Sequence, residues 1–371
     1  MKKFTSLLRS AKLTSQLGLM ATAAITICFV TGYISHAIQQ PPWWFTWPSR
    51  PVNLYRVTQG LHIITGVAAI PLVTAKLWSV YPKLFRWPPV RDAAHALERA
   101  SLAVLVASVL FQLFSGLLNI FRWYQPMGFF FTVAHYWTAW AVAGSVLVHI
   151  GVKLPIIQRA LRSKPRREPV TGGLSRRGLI ATVAATAGAI AVSFAGQTIR
   201  PLAAVSLLAP RDPRVGSQGL PVNGSAQAAG VTAGATDPGY RLELTGPNGT
   251  QLFTLQQLQA IPQHTASLPI TCVEGWSADA TWTGIRIRDL VALAGGDDTF
   301  QVTVTSLQKG GYSQSTVAPT HARDPLTLLA LGINGETLNL DHGYPCRLIA
   351  PNRPGVMQTK WIRRINVAKP A

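Results

Sequence analysis

The chain has 371 residues, 48% hydrophobic and only 13% charged, with 34 Lys+Arg against 14 Asp+Glu and a formal net charge of +20. The imbalance sits in one half, because residues 1–200 hold 21 basic and 3 acidic side chains and residues 201–371 hold 13 and 11. The positive charges punctuate long apolar runs and form no basic face, which excludes a nucleic-acid binder and points to a membrane in a chain long enough for two or three structural units.

Residues 15–38, 58–80, 97–120, 132–154 and 179–198 are apolar over the ~20 residues that a bilayer core requires. Segments 1–14, 79–99 and 153–177 carry 4, 4 and 8 basic residues, whereas 39–57 and 121–131 carry 2 and 1. Positive charge is retained on the cytoplasmic side, so the N-terminus is expected inside and everything after the fifth span outside. Trp43, Trp44, Phe45, Trp47, Trp123 and Tyr124 suit an aromatic belt against membrane lipid.

Five of the eight histidines, His36, His62, His95, His135 and His149, lie in or beside the first four spans. An ionisable side chain inside a span is costly and is a functional candidate by default. His135 and His149 are fourteen residues apart on one helix, roughly 21 Å in rise and within about 40° of one face. That spacing suits two haems stacked across a bilayer, each bound by one imidazole of this helix. His62 matches His135 in depth, with His36 as a competitor. His149 is left with His95, which could equally be solvated beside Arg91 and Arg99.

The arrangement resembles the four-helix b-type cytochrome subunits of membrane formate dehydrogenases and hydrogenases over residues 15–157. The resemblance implies His62, His135 and His149 as haem ligands, one or two b haems, and quinone or quinol as a partner. It departs at the first helix, where the family places the inner partner and "FTSLLRSAKLTSQLGLM" has no histidine.

Residues 175–180 read "SRRGLI" ahead of a weakly hydrophobic Ala/Gly-rich run. Paired arginines before a span can be a plain charged flank, but Ser-Arg-Arg-x-Leu-Ile also resembles a twin-arginine export signal, a route for domains folded around a cofactor. Lacking a small-residue cleavage motif, the segment is expected to stay as an anchor. Residues 200–239, rich in Ala, Gly, Pro and Ser, read as a linker.

From Tyr240 the period changes. "YRLELTG" and "TFQVTVTSL" alternate as strands, while "LFTLQQLQAI" and "RIRDLVALAG" read as short helices with glycine stops. Short strands mixed with short helices predict an α+β domain. Cys272 follows an apolar strand-like run in "LPITCVEGW", with no CxxC partner. It could be a buried inert thiol, a disulfide partner of Cys346, or a soft thiolate for a metal.

"CVEGWSADATWTGIRIRDLV" and, later, "DPLTLLALGINGETLNLDHGYPCRLIAPNRPGVMQTKWIRRINV" resemble, in order, the molybdopterin-binding domain of the sulfite oxidase family. More particularly, they look like its bacterial branch, which includes the periplasmic methionine sulfoxide reductase catalytic subunit. The resemblance covers 240–368 and implies Cys272 as the thiolate on molybdenum, with His342, Gly343, Arg347 and Lys360 contacting the pterin cofactor. His321 and Arg323 in "PTHARDPLTLLA" line the site or a solvated loop. Tyr312 in "KGGYSQS" supplies a catalytic hydroxyl or serves a turn. Basic residues after the cysteine would suit sulfite; Val273-Glu274-Gly275-Trp276 stand here instead and favour a neutral S-oxide or N-oxide.

The expected architecture is multi-domain. A cytoplasmic N-terminus (1–14) leads into an all-α transmembrane four-helix cytochrome b bundle (15–157) and a basic cytoplasmic loop (158–177). A fifth, twin-arginine-like anchor helix (178–199) and the linker (200–239) precede the α+β molybdopterin-binding domain (240–371). The expected activity is that of a molybdopterin-dependent oxidoreductase in a bacterial inner membrane, exchanging electrons between quinone, haem b and an extracytoplasmic molybdenum site. Sulfite-type oxidation, and a non-catalytic anchored binding protein, are the competing readings.

Overall fold

The computed structural model describes residues 7–84, 90–162 and 175–370. Most of the basic loop 158–177, and residues 1–6 of the N-terminal segment, lie outside them. The chain divides into two compact units, one of residues 1–34, 60–196 and 201–210, the other of residues 35–59, 197–200 and 211–371.

The helical unit is built on α1 (Ala11–Gln39), α2 (Leu54–Leu84), α3 (Ala93–Ile120), α4 (Phe131–Arg162) and α5 (Arg176–Ala195). All five are long and apolar enough to cross a membrane. The first four outrun the hydropathic stretches, and α5 is shifted about three residues earlier, because a helix stops where its caps are, not where its apolar run stops. Asp92 caps α3 by accepting from the His95 N–H, and Ser175 caps α5 by accepting from the Gly178 N–H. Leu13, Leu17, Ala21 and Ala24 repeat at helical spacing along α1 and pack with Ala69, Leu72 and Val73 of α2 and Val183 and Ala187 of α5.

The sheet unit holds two five-stranded sheets. The first contains β1 (Arg241–Gly246), β2 (Gly249–Thr254), β5 (Gln301–Ser306), β6 (Gln314–Val317) and β10 (Ile362–Ala368), in the order β2-β1-β10-β5-β6. The second contains β3 (His264–Thr271), β4 (Ser277–Arg286), β7 (Leu328–Ile333), β8 (Glu336–Thr337) and β9 (Arg347–Ile349), in the order β3-β4-β7-β8 with β9 also on β7. Four short helices, α6 (Thr232–Ala235), α7 (Leu255–Ala260), α8 (Ile287–Leu293) and α9 (Pro319–Ala322), complete an α+β unit.

Alternation in β1 and β5 turns Leu242, Leu244, Val302 and Val304 into a core shared with Leu329, Leu348 and Ile285 of the second sheet. A second core, with Leu268, Ile270, Ala280, Trp282 and Leu328, includes Leu220 from outside the sheets. "LFTLQQLQAI" is not one helix, because Leu252–Thr254 belong to β2. The break is set by Thr254, whose side chain and Gln257 form a reciprocal capping box that starts α7 at Leu255. Residues 211–239, expected as linker, are counted in the sheet unit, with Leu220, Ala226 and Ala235 each 1% exposed.

Candidate active site

Cys272 follows β3 and opens a tight turn in which the Cys272 N–H donates to the Trp276 carbonyl (2.9 Å) and the Gly275 N–H to the Cys272 carbonyl (3.0 Å). Its side chain is 5% exposed and forms no disulfide. Asn223 Nδ2 donates to the sulfur at 2.8 Å and the Glu274 N–H at 3.5 Å. Two N–H donors converging on one sulfur suit a sulfur that carries negative charge. The disulfide alternative is excluded: Cys346 is likewise outside any disulfide and lies in the other core, against the Tyr240 hydroxyl at 3.3 Å. Burial pushes the Cys346 thiol up to about 12, so it is inert at neutral pH.

Three buried or half-buried cations belong to the same unit. Arg347 is 3% exposed; its Nη1 donates to the His342 carbonyl and its Nη2 to the Gln358 carbonyl, both at 3.0 Å. Its guanidinium lies over the Trp282 ring at 5.0 Å. Lys360 Nζ donates to the carbonyls of Gly224 (2.6 Å) and Asp341 (2.9 Å). Arg353, 5% exposed, donates from Nη2 to the Thr316 carbonyl at 2.7 Å. Among the described residues none of the three has a carboxylate within ion-pair distance. Burial pulls Arg347 down to about 9 and Arg353 to about 10; burial, then the Arg347 charge, pulls Lys360 to about 7.

Buried positive charge without a counter-ion is expensive, and the cost is left open at specific atoms. Arg347 Nε, Arg353 Nη1 and His321 Nε2 are buried donors or acceptors with no partner among the described residues. An anionic, oxygen-rich ligand supplies what these atoms lack, and a pterin cofactor with its phosphate is such a ligand. Gly343 stands at φ 112°, and a Cβ there would come within 3.0 Å of Arg347 Cβ and 3.1 Å of Lys360 Cβ, so glycine keeps these two neighbours close. Replacing Arg347 with methionine is expected to abolish retention of the molybdenum cofactor through purification, checked by metal analysis.

His342 Nε2 sits 2.6 Å from the Ser217 carbonyl, so it carries the proton and donates. Burial chiefly holds both His342 and His321 down to about 4. Both are neutral at pH 7. A depressed imidazole stabilises the fold fully above its unfolded value near 6.5, and the stability is lost as pH falls from there towards 4. Each is expected to cost on the order of 2 kcal/mol at pH 5. The fall in thermal midpoint between pH 7 and 5 measures this, and it should shrink in His321→Gln.

Tyr312 is 43% exposed, and burial, then Cys272 and Glu274, raise its hydroxyl above the ordinary range, which places it in electrostatic reach of the thiol. Arg323 is not brought to the site. It is exposed and lines a small surface recess with Arg288, Asp297 and Asp298, whereas His321, two residues earlier in α9, is buried. Sequence reasoning missed Arg353 and Asn223. Arg353 lies within the quoted "APNRPG" yet no periodicity marks it as buried, and Asn223 sits in a stretch read as linker.

In the helical unit, the rings of His62 and His135 face each other with centroids 6.3 Å apart, at 71°. His62 Nδ1 is 2.9 Å from the Cys28 carbonyl, and His135 Nδ1 is 3.1 Å from Ser115 Oγ. Both Nδ1 atoms are engaged, which fixes the rings and, among the described residues, leaves both Nε2 atoms for another ligand. Two metal–nitrogen bonds of about 2 Å plus about 1 Å from each nitrogen to its ring centre would span about 6 Å, close to the separation of the two ring centres. A Cβ at Gly32 would stand 2.9 Å from the His62 ring, so this position has no room for a side chain. His95 and His149 make no such pair: no ring contact joins them among the described residues, and the Lys153–Glu98 ion pair lies within electrostatic reach of both. His95 is held in the first turn of α3, where its N–H meets the Asp92 cap at 2.8 Å.

Residues 229–371 match the family model for the oxidoreductase molybdopterin binding domain. The C-terminal region is therefore an oxidoreductase domain of the molybdopterin-binding type. Its relatives include a provisionally named protein-methionine-sulfoxide reductase subunit, YedZ1, of Azospira oryzae, 31% identical over 129 residues, 34% of this chain and 48% of that protein. The mitochondrial sulfite oxidase of Drosophila melanogaster is 31% identical over 159 residues, 35% of this chain and 27% of that one. The protein-methionine-sulfoxide reductase catalytic subunit MsrP of Gluconobacter oxydans is 31% identical over 145 residues, 34% and 46%. The chain thus spans about half or less of the length of these relatives.

Proposed function

We propose that this chain is a membrane-anchored molybdenum oxidoreductase that carries electrons from quinol through one b haem to a molybdopterin site, where a small S-oxide or N-oxide is reduced. The observation that carries the reading is the Cys272 sulfur, outside any disulfide and met by N–H donors, in a unit where buried Arg347 and Arg353 and half-buried Lys360 have no carboxylate partner among the described residues. Cys272 is the thiolate for the metal, and Arg347, Arg353, Lys360 and His321 hold the anionic cofactor. His62 and His135 would hold the haem iron, with Gly32 giving the first of them room.

When bound, the molybdenum centre supplies two-electron oxygen-atom chemistry. In the overall balance the sulfur–oxygen bond of a sulfoxide breaks, two electrons and two protons are taken up, and a sulfide and a water leave. The electrons and protons are those released as quinol becomes quinone. The chain's part is to orient the cofactor by its donors, to present Tyr312 as a proton-bearing hydroxyl near the thiol, and to exclude water behind Trp276 and Trp282, 3% and 0% exposed. Glu274, two residues beyond Cys272 and 5% exposed, carries a carboxylate that accepts from Trp276 Nε1 at 3.2 Å. Its charge disfavours a doubly charged anion such as sulfite and favours a neutral oxide. The name of the Gluconobacter relative supports the same substrate class.

Five apolar helices anchor the chain, and the charge asymmetry of their flanks supports a cytoplasmic N-terminus with the molybdopterin domain across the membrane. Arg176 and Arg177, directly after the Ser175 cap, would then serve as the twin-arginine element of α5. The test is metal analysis and a visible spectrum of the purified full chain, followed by turnover. Quinol should reduce the haem bands and methionine sulfoxide should reoxidise them. Haem reduced by sulfite, with no response to sulfoxide, would replace this reading with sulfite oxidation, and a preparation free of molybdenum would end both.

A further inference from the structure

The stretch linking α1 and α2 reads from sequence as a plain outer loop, but residues 35–59 are part of the sheet unit, and their bonds gather at the loops that carry the site. Asn352 shows this most directly. It adopts φ 56°, a left-handed conformation uncommon outside glycine, directly before Arg353 with its open Nη1. Three hydrogen bonds tie it to the stretch. Its Oδ1 accepts from the Tyr55 N–H at 2.6 Å, its Nδ2 donates to the Pro48 carbonyl at 2.7 Å, and its carbonyl accepts from Trp47 Nε1 at 2.8 Å.

The same stretch reaches two more site loops. Gln59, 4% exposed, donates from Nε2 to the Val273 carbonyl at 2.9 Å, one residue beyond Cys272. Arg50 grips Asp324 through two bonds, Nε to Oδ2 at 2.9 Å and Nη2 to Oδ1 at 3.0 Å, three residues beyond His321. Asp324 is 6% exposed and would be a buried unpaired carboxylate without Arg50. Cys272, His321 and Arg353 come from separate loops after β3, in α9 and after β9, and one continuous segment bonds to all three.

We propose that residues Trp47–Gln59 are a positioning element of the molybdopterin site, fixing the loops of Cys272, His321 and Arg353 relative to one another. None of these residues is assigned to touch substrate or cofactor. The proposal rests on the reading of Cys272 and Arg353 as cofactor residues, but the first measurement needs no cofactor.

The test is amide hydrogen exchange on the full chain in detergent, in the wild type, Gln59→Leu and Trp47→Phe. Gln59→Leu is expected to speed exchange of the 272–277 turn about tenfold, and Trp47→Phe that of Asn352 and Arg353, with β5 and β6 unchanged. In molybdenum-loaded protein, Gln59→Leu is expected to shift the Mo(V) electron paramagnetic resonance lines and lower kcat about tenfold at unchanged metal content. Trp47→Phe, a small change at a half-buried side chain, serves should Gln59→Leu fail to fold. Exchange within twofold of wild type at both loops overturns the proposal. Locally faster exchange in a chain that binds no molybdenum upholds the positioning role and overturns the functional reading instead.

Discussion

Cys272→Ser is expected to remove sulfoxide reduction altogether while the haem spectrum is unchanged. A serine oxygen is a hard ligand that replaces a soft thiolate, and the two donors aimed at the sulfur, Asn223 Nδ2 and the Glu274 N–H, would meet a shorter side chain. The loss should exceed the ~10–100-fold typical of changes to outer-shell partners of a metal. Because Arg347, Arg353 and Lys360 are untouched, the pterin should remain bound, and cofactor analysis of the variant should find it. Activity within tenfold of wild type would show that the sulfur is not a ligand. The Cys346→Ser variant provides the contrast: that thiol is buried at 0% exposure against Tyr240, so its replacement should affect stability and leave the chemistry unchanged.

His62→Ala and His135→Ala are each expected to abolish the b-type absorption bands, whereas His149→Ala and His95→Ala retain them. The first two face one another with both Nδ1 atoms engaged, and the last two share no ring contact among the described residues. If the two imidazoles hold a haem, losing either would leave its iron with a single protein ligand. Quinol-driven turnover should fall with the haem, while an artificial reductant acting directly at the molybdenum should still support sulfoxide reduction. Bands that survive His135→Ala but vanish in His149→Ala would move the haem to the other histidine pair. Gly32→Leu should act like His62→Ala, because a side chain at that position meets the His62 ring.

Much of this is legible in the chain's text alone. Hydropathy marks five helices because each must carry some twenty apolar residues, and period-two alternation marks β1 and β5 because one face of each is buried. Cys272, with no CxxC partner, and His62 and His135, inside apolar spans, stand out in the text as candidates because an ionisable side chain inside a span is costly and a thiol so placed has a short list of uses. Boundaries are less legible. The strand-to-helix change at Thr254 depends on a reciprocal side-chain bond that no periodicity reports.

The residues that tertiary structure alone decided are those whose role depends on what faces them across long sequence separations. Arg323 and Arg353 are the same residue type in similar loop-like text, yet one is exposed and the other is 5% exposed with an open donor. Asn352 is an ordinary turn residue until Trp47, Pro48 and Tyr55, some three hundred residues earlier, bond to all its polar groups but its N–H. Local sequence settles which elements form, since propensity, caps and periodicity act over a few residues. Burial, counter-charge and hydrogen-bond satisfaction are set by the folded neighbourhood, so the polar atoms left open at Arg347, Arg353 and His321 and the bonds of the stretch between α1 and α2 emerge only in three dimensions.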